Sequence, residues 1–453
     1  MLSRARVAIA PIYLFACLIL GGSAQGVWEN MLLQLAGLAI IGWAAFDKSD
    51  GPIAPAARQL LLLAILAIIV VAIQSIPLPA AVWSHLGPRR SVAESFPVLG
   101  LAVPPEPLSL TPATCLNSLL GLIPPLAIFC AVVRLRAYRP RWFAVALIAA
   151  AVAGIALGAL QVAGSDPQVS PWYLYDDTNR GRAVGFFANA DHMASLLVLT
   201  IPFLAAIVAA TKRTRVQRYS AILTIAAGVA ILVAVGLALN GSLAGYGLAI
   251  PVIAISALLV LRARARLQIW TVVVAVAFVF ASVAAIETTA IGSGTLGKHA
   301  GNAVESRQQT LSTTLKAAAD FMPLGSGLGS FPSVYPLYEK PEQVSAIYVV
   351  HAHNDYAEVA LELGLAGVLL MLLFLAWWVA AVWRTWRTAE AGPFARAAAI
   401  ASGAILVHSL VDFPLRTAAI AACFGMCLAL LADSRAAPPK EKLELRKARH
   451  VVV

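Results

Sequence analysis

Long apolar segments recur along nearly the whole chain, and they constrain its fold more than any other feature. An α-helix needs about 20 apolar residues to cross the hydrocarbon core of a bilayer, and its backbone satisfies its own polar groups there. Twelve segments approach this requirement, at 7–22, 30–46, 58–76, 112–133, 142–163, 186–210, 219–239, 243–261, 269–286, 355–383, 395–411 and 417–432. The sequence therefore predicts an all-α integral membrane protein with about 12 transmembrane helices.

Charged residues are distributed unevenly between the two sides of this predicted topology. The side that holds both termini carries 24 of the 33 basic residues and 6 of the 22 acidic ones. An excess of Lys and Arg marks cytoplasmic loops. We therefore expect an inner-membrane protein with both termini in the cytoplasm. The net charge of +11 then reflects membrane topology, and we expect no nucleic-acid partner.

A single polytopic membrane domain over residues 1–434, followed by a basic cytoplasmic tail at 435–453, is the expected organisation. The first segment also has features of a signal peptide, because two arginines precede a short apolar stretch that ends at small residues. We expect the first segment to be retained, since the small residues that follow it resemble a cleavage site no more than those that follow other apolar segments of the chain. The five cysteines lie within or beside apolar segments, which favours small buried hydrophobes over disulfides or a zinc site.

Three outward-facing segments are too long to be plain turns, at 77–111, 164–185 and 287–354. The first is rich in proline and predicts an irregular cap on the membrane surface. The third, between the ninth and tenth spans, is the longest. It ends in the densest polar cluster of the sequence, which runs from His351 to Glu358.

His353 lies in this cluster at the start of a predicted long helix. Asp355 and Glu358 have the spacing of a capping box. The helix N-terminus offers unpaired N–H groups to an anion such as phosphate, so a base and an anion site adjoin, as group transfer from a phosphorylated donor requires. The alternative is an interfacial histidine that only caps the helix, and the local pattern leaves both open. His351 and His353 also suggest a metal pair, but such pairs belong to barrel folds, and we expect no metal.

Four motifs in order resemble those of the O-antigen ligase and O-antigen polymerase superfamily of membrane glycosyltransferases. His353-Asn354 is followed by Gly364 and Gly367 on the next helix. The other three are the run Gly181-Arg182-Ala183-Val184-Gly185-Phe186-Phe187-Ala188-Asn189, the pair Ser306-Arg307 with Pro323-Leu324-Gly325-Ser326-Gly327-Leu328-Gly329, and the run His408-Ser409-Leu410-Val411-Asp412-Phe413. The resemblance covers residues from about 180 to 430.

The resemblance implies a GT-C-like membrane fold with a periplasmic active site in a bacterial inner membrane. It implies an undecaprenyl-diphosphate-linked glycan donor and, as acceptor, a hydroxyl of a glycan or of lipid A-core. The transfer would be inverting and metal-independent, with no cofactor. Polymerase and ligase activities stay open, and other polysaccharide assembly proteins are candidate partners.

Residue roles follow from the same resemblance. His353 would take the proton of the acceptor hydroxyl, and Arg307 would bind the donor diphosphate, for which a guanidinium is well suited. The remaining positions are expected to bind diphosphate or glycan: Arg180, Arg182, Asn189, Gly325, Gly327, Asn354 and Glu358. Arg307 could instead pair with a carboxylate of its own loop, and His408 with Asp412 could be a structural pair.

The sequence departs from the family pattern at one place. Many ligases of the family carry Ser-Arg where this chain has Ser242-Leu243, which leaves room for a capsule or exopolysaccharide polymerase. Functions outside the family were weighed on the same residues. A lipid-linked oligosaccharide flippase would need charges within its spans, whereas the polar residues here crowd at the span ends. A protein O-oligosaccharyltransferase and a scaffold for polysaccharide assembly are also compatible with the sequence.

Overall fold

The computed structural model describes residues 2–23, 27–47, 52–135, 138–164, 166–211, 216–261, 295–344, 348–388 and 391–433. Within these ranges the protein is helical, apart from loops and a ribbon in which β1 (Pro77–Leu78) pairs antiparallel with β2 (Glu106–Pro107). The helices are α1 Leu2–Leu20, α2 Trp28–Phe46, α3 Pro55–Gln74, α4 Ala80–Trp83, α5 Arg89–Val98, α6 Pro112–Leu120, α7 Ile123–Leu135, α8 Pro140–Val162, α9 Ala190–Ala210, α10 Val216–Asn240, α11 Leu243–Leu261, α12 Thr295–Phe321, α13 Phe331–Val334, α14 Asp355–Arg387, α15 Pro393–His408 and α16 Ala418–Ala432.

Eight helical segments of the described residues are long and apolar enough to cross a membrane, with α6 and α7 counted as one. Three shorter apolar helices, α1, α15 and α16, accompany them. The predicted all-α membrane class is thus confirmed. The predicted span at 269–286 lies outside the described residues, so the count of twelve stays a prediction, as does the likeness to GT-C folds.

Two segments predicted as loops contain regular structure. The segment 287–354 holds α12, a helix of 27 residues, whose buried Ala317 and Phe321 belong to one apolar cluster with Leu361 of α14. Its many polar residues conceal it from a search for apolar runs. The segment 77–111 is also ordered rather than irregular, since Trp83 donates a hydrogen bond to the Pro104 carbonyl oxygen at 2.8 Å.

Helix ends meet at one end of the bundle, which we call the polar end. There α9, α11, α14 and α16 begin, and α1, α10 and α15 end. Hydrogen bonds join these ends: the N–H of Ala419 donates to the Gly21 carbonyl oxygen, and that of Asp355 to the Ser409 carbonyl oxygen. The loops between helices are therefore held close together, and the polar side chains they carry converge.

Helices α9 and α16 form the interior of the bundle, with about three quarters of the residues of α9 and nearly all of those of α16 buried. Small residues let the helices approach closely; for example, a side chain at Gly425 would overlap the backbone of Pro125. By contrast, α2 and α3 expose leucine and isoleucine side chains over much of their length. Exposed apolar faces of this kind fit a lipid environment rather than water.

Candidate active site

His353 pairs with Asp412 at the polar end. The two side chains meet with His353 Nδ1 3.0 Å from an Oδ of Asp412. Because an ionised carboxylate can only accept a hydrogen bond, we assign the donor role in this contact to His353 Nδ1, which leaves Nε2 on the other side of the ring. The imidazole is about one-third exposed, whereas the Asp412 side chain is fully buried. The pair is therefore a partly exposed imidazole held by a buried carboxylate.

Two more histidines face Asp412. His192, on α9, places Nε2 3.3 Å from Asp412 Oδ2, and His408 Nε2 lies 4.0 Å from the same oxygen. Burial raises the pKa of Asp412, but the imidazoles of His192 and His353 outweigh burial and hold that pKa well below its usual range. Asp412 therefore acts as a hydrogen-bond acceptor. It contacts His192 and His353 as well as His408, so it is not only the partner in a structural pair with His408.

His408 itself is anchored from the other side, where its Nδ1 lies 2.7 Å from the Ser195 hydroxyl oxygen. The ring of Phe413 then packs against three imidazoles, with centroid separations of 4.3 Å to His351 and 5.1 Å each to His192 and His353. Apolar packing on one side and a carboxylate on the other fix the orientation of these rings.

His353 occupies a left-handed backbone conformation, with φ at 50°. A residue with a side chain rarely adopts this region, and it does so where neighbouring contacts impose it. Here Asn354 supplies two of those contacts: its side chain accepts from Ala357 N at 2.9 Å and donates to the Leu410 carbonyl oxygen at 2.8 Å. The turn that presents His353 is thus tied to the loop that carries Asp412.

The predicted capping box is wrong by one residue. Asn354, not Asp355, caps α14, and Glu358 accepts from Ala352 N at 3.0 Å rather than from the capping residue. Asn caps well because its short side chain reaches the first free N–H groups of the helix. The predicted anion site at this helix terminus is consequently occupied in part by the protein's own groups.

Arg307 pairs with Asp191, which lies in the first turn of α9. An Nη atom of Arg307 lies 2.6 Å from Asp191 Oδ2, and the Ser242 hydroxyl donates to Asp191 Oδ1 at 2.6 Å. Asp191 follows Asn189, whose side chain caps α9 by accepting from Asp191 N at 2.8 Å. Asn189 therefore has a structural contact of its own. Since Asp191 and His192 are adjacent, Arg307 is brought to the same region as Asp412 and His353.

Arg416, which the sequence reasoning missed, gathers three carboxylates of α14. Its guanidinium lies 3.1 Å from Glu358, 3.6 Å from Glu362 and 3.6 Å from Asp355. Burial lowers the pKa of Arg416, but these carboxylates raise it above its usual value. Glu358 also holds His351 Nδ1 at 3.0 Å. Glu358, predicted to bind substrate, is therefore fully engaged within the protein.

Gly325 and Gly327 lie against a break in α14 rather than on an open surface. Gly364 has φ at 61° and ψ at −147°, which interrupts the helix. Across the interruption the N–H of Gly327 donates to the Glu362 carbonyl oxygen at 2.9 Å, and that of Leu365 to the Pro323 carbonyl oxygen at 2.8 Å. These glycines permit backbone-to-backbone approach within the protein. A contact of theirs with substrate stays a prediction.

Arg180 and Arg182 are exposed in the segment before α9. The Arg180 guanidinium lies 5.3 Å from the ring centroid of Tyr173 and donates to the Gln168 carbonyl oxygen at 3.2 Å. No described contact joins either arginine to His353 or Asp412. Within the part of the chain that the structure describes, no group of His, Cys, Asp and Glu has the arrangement of a metal site.

A protein-family model matches part of the chain. Residues 228–372 match the family model described as O-antigen ligase. This segment runs from α10 through α12 into α14 and includes Ser242, Arg307 and His353, so the resemblance to O-antigen ligases and polymerases is confirmed there. No curated protein matches the chain. Together with the apolar helices, the match indicates a multi-pass membrane protein with an O-antigen ligase or polymerase type of function.

Proposed function

From the O-antigen ligase match as premise, we propose that this protein is an inner-membrane glycosyltransferase. It transfers a glycan from undecaprenyl diphosphate to a hydroxyl of an acceptor glycan or of lipid A-core, as a polymerase or as a ligase. The observation that carries the proposal is the pair of His353 and Asp412, whose Nδ1 and Oδ1 atoms are 3.0 Å apart at the polar end. Arg307 reaches the same end through its salt bridge with Asp191.

The proposed step is one displacement at the anomeric carbon of the donor sugar. His353 Nε2 accepts the proton of the acceptor hydroxyl, whose oxygen forms the new bond to that carbon. The bond from the carbon to the diphosphate oxygen breaks, its electrons leave with undecaprenyl diphosphate, and the configuration inverts. Asp412 holds the ring through Nδ1 and stabilises the imidazolium that forms, as the carboxylates of catalytic triads do. No metal is needed, because arginines carry the charge of the leaving group.

Arg307 is the proposed ligand of the leaving diphosphate. A guanidinium can bind two phosphate oxygens at once and loses no charge at neutral pH. The carboxylate of Asp191 now faces it at 2.6 Å, so the diphosphate would share or replace that contact. Arg180 and Arg182 are exposed in the segment that precedes α9. They are candidates to supply the positive charge that many ligases of the family place at the position of Leu243.

The polar end is proposed to face the periplasm. Arg6 pairs with Asp47 and Arg134 donates to the Ala44 carbonyl oxygen at the opposite end of the bundle, which is the end that collects basic residues. An excess of positive charge on that side supports a cytoplasmic position for it and for both termini.

Deletion and complementation in the native host test this proposal. Surface polysaccharide is examined by gel after complementation with wild type, His353→Ala, Arg307→Ala and, as control, Arg90→Ala at matched membrane levels. Arg90 is an exposed arginine that pairs with Glu94 on α5. We expect wild type and the control to restore the polymer and the other two to fail.

The stranded product distinguishes the two activities. A single lipid-linked repeat unit indicates a polymerase, whereas full-length chains left on undecaprenyl diphosphate indicate a ligase. Full complementation by both His353→Ala and Arg307→Ala would reject the proposed base and diphosphate ligand, and the flippase or scaffold hypothesis would replace them.

A further inference from the structure

A large cavity lies beside the candidate active site, among α2, α3, α6, α7, α14 and α16. Its volume is about 930 Å³, at the upper end of the range for small-molecule sites. Apolar side chains form its deeper walls, among them Ala67, Phe129, Met371 and Phe424. None of the residues to which the mechanism assigns proton transfer or diphosphate binding lines it.

The cavity reaches both the outer surface of the helices and the candidate active site. Met31 and Leu122 line it while they expose 53% and 38% of their surface, so an apolar chain can enter from the lipid side. His351, Asp355 and Arg416 also line the cavity and form what we call its polar extreme. His351 is two residues from His353, the proposed base. A molecule with an apolar chain and a polar head fits this shape, because each part meets its own kind of surface.

Asp355 and Arg416 line the polar extreme of the cavity, and two further carboxyl groups lie buried behind Arg416. One guanidinium, Arg416, meets three carboxyl groups there, those of Asp355, Glu358 and Glu362. The three carboxyl groups around one guanidinium leave no net positive charge to attract phosphate, and the Asp355 carboxyl group at the cavity can accept hydrogen bonds from sugar hydroxyl groups. Arg307, in contrast, is held by Asp191 on α9, a helix that does not line the cavity. Arg416 thus has three carboxyl partners, whereas the salt bridge described for Arg307 has one.

We propose that this cavity binds the apolar chain of a glycolipid acceptor whose head presents sugar hydroxyls, not phosphate, to the acidic extreme beside His351. The inference rests on the proposed glycosyltransferase function and assigns its acceptor side. The donor diphosphate then approaches from the side of Arg307, and His353 lies between the two substrates. The acceptor enters laterally from the bilayer.

Photolabelling of the full-length protein in nanodiscs tests the assignment. Two probes share an octadecyl chain with a mid-chain diazirine; one has a β-glucoside head and the other a phosphate head. We expect the glucoside probe to label peptides of α3, α14 and α16 at the cavity, and excess unlabelled octadecyl glucoside to suppress that labelling. The phosphate probe should label these peptides less. Preferential labelling by the phosphate probe would overturn the acceptor assignment.

Filling the cavity supplies a matched set of variants. Ala64 and Ala67 line the cavity from α3, whereas Ala72 on the same helix is exposed and does not. Ala64→Phe or Ala67→Phe should weaken labelling by the glucoside probe roughly tenfold, equivalent to about 1.4 kcal/mol, and Ala72→Phe should not. Two cavity positions guard against one variant that fails to fold. Equal labelling of all three variants would refute the proposal.

The labelling experiment can fail without rejecting the proposed glycosyltransferase function, and the two results can be told apart. His353→Ala should keep cavity labelling while it abolishes glycan transfer. Loss of transfer in His353→Ala, without specific labelling of wild type, would reject the acceptor cavity and leave the glycosyltransferase standing. Asp355→Asn removes one carboxylate from the acidic extreme and should narrow the difference between the two probes; an unchanged difference would contradict the electrostatic argument.

Discussion

Replacing Gly364 by alanine should detach the turn at Gly325 from the break in α14. The backbone at Gly364 has φ at 61° and ψ at −147°, a region that is essentially restricted to glycine and costs other residues about 1–3 kcal/mol. An added Cβ would also collide with the Pro323 carbonyl oxygen and with the backbone of Leu324. Neither neighbour is a flexible side chain, so the turn itself must move.

The magnitude follows from the bonds that such a movement breaks. Three backbone hydrogen bonds hold the turn to the broken helix: Ser326 N to Leu361 O at 2.9 Å, Gly327 N to Glu362 O at 2.9 Å, and Leu365 N to Pro323 O at 2.8 Å. Each contributes about 1 kcal/mol net. With the backbone strain, the free energy of unfolding should fall by roughly 4–6 kcal/mol.

Thermal unfolding of the detergent-solubilised protein measures the effect. A loss of this size in a chain of this length lowers Tm by roughly 5 °C. Gly228→Ala is the matched control, since a Cβ at Gly228 on α10 meets nothing within 4 Å and alanine suits a helix better than glycine. Equal Tm values for Gly364→Ala and wild type would refute the reasoning that this glycine is required by its conformation.

Three further predictions concern the polar end. Asp412→Asn should reduce glycan transfer by about 100-fold or more while protein levels persist, because an amide lacks the negative charge that stabilises the imidazolium of His353 in the proposed step. Undiminished transfer would show that Asp412 does not position the base. Arg416→Met should destabilise the protein by about 3–5 kcal/mol, since it strands three buried carboxylates, whereas a Tm equal to that of wild type would indicate that they are protonated. Asn189→Ala should cost about 1 kcal/mol through loss of the α9 cap, and Asn189→Ser should recover most of it; no difference between the two would argue against a capping role.

The span positions could be predicted from the sequence because lipid imposes one requirement on every spanning segment. Apolar length alone locates α2, α3, α8 and α9 to within a few residues. The helix α12 was missed because it buries threonine and alanine and exposes charge elsewhere, a pattern that carries no long apolar run. The break at Gly364 was likewise hidden, since a glycine in an apolar helix ordinarily indicates close packing.

The candidate site could be predicted only where neighbours in sequence are also neighbours in space. His353 and Arg307 stand out from an otherwise apolar chain, but the partner of each is distant in sequence: Asp412, in the loop after α15, for the first, and Asp191, in the first turn of α9, for the second. Arg416 gave no signal because a single arginine at a helix start resembles an interfacial anchor. Only the packing of α15 and α16 against α14 shows that it faces three carboxylates.

Any anion that binds Arg307 must compete with Asp191 for its guanidinium, so the salt bridge affects which anions can bind. A guanidinium already satisfied by an internal carboxylate at 2.6 Å binds an external anion only if that anion competes successfully for it. Free phosphate, dilute and well hydrated, competes poorly. A diphosphate anchored in the same bilayer is delivered at a high effective concentration and can displace Asp191. If Arg307 binds the donor diphosphate as proposed, Asp191 would set the concentration that an anion must exceed to bind, and a lipid-tethered diphosphate would be favoured over soluble anions.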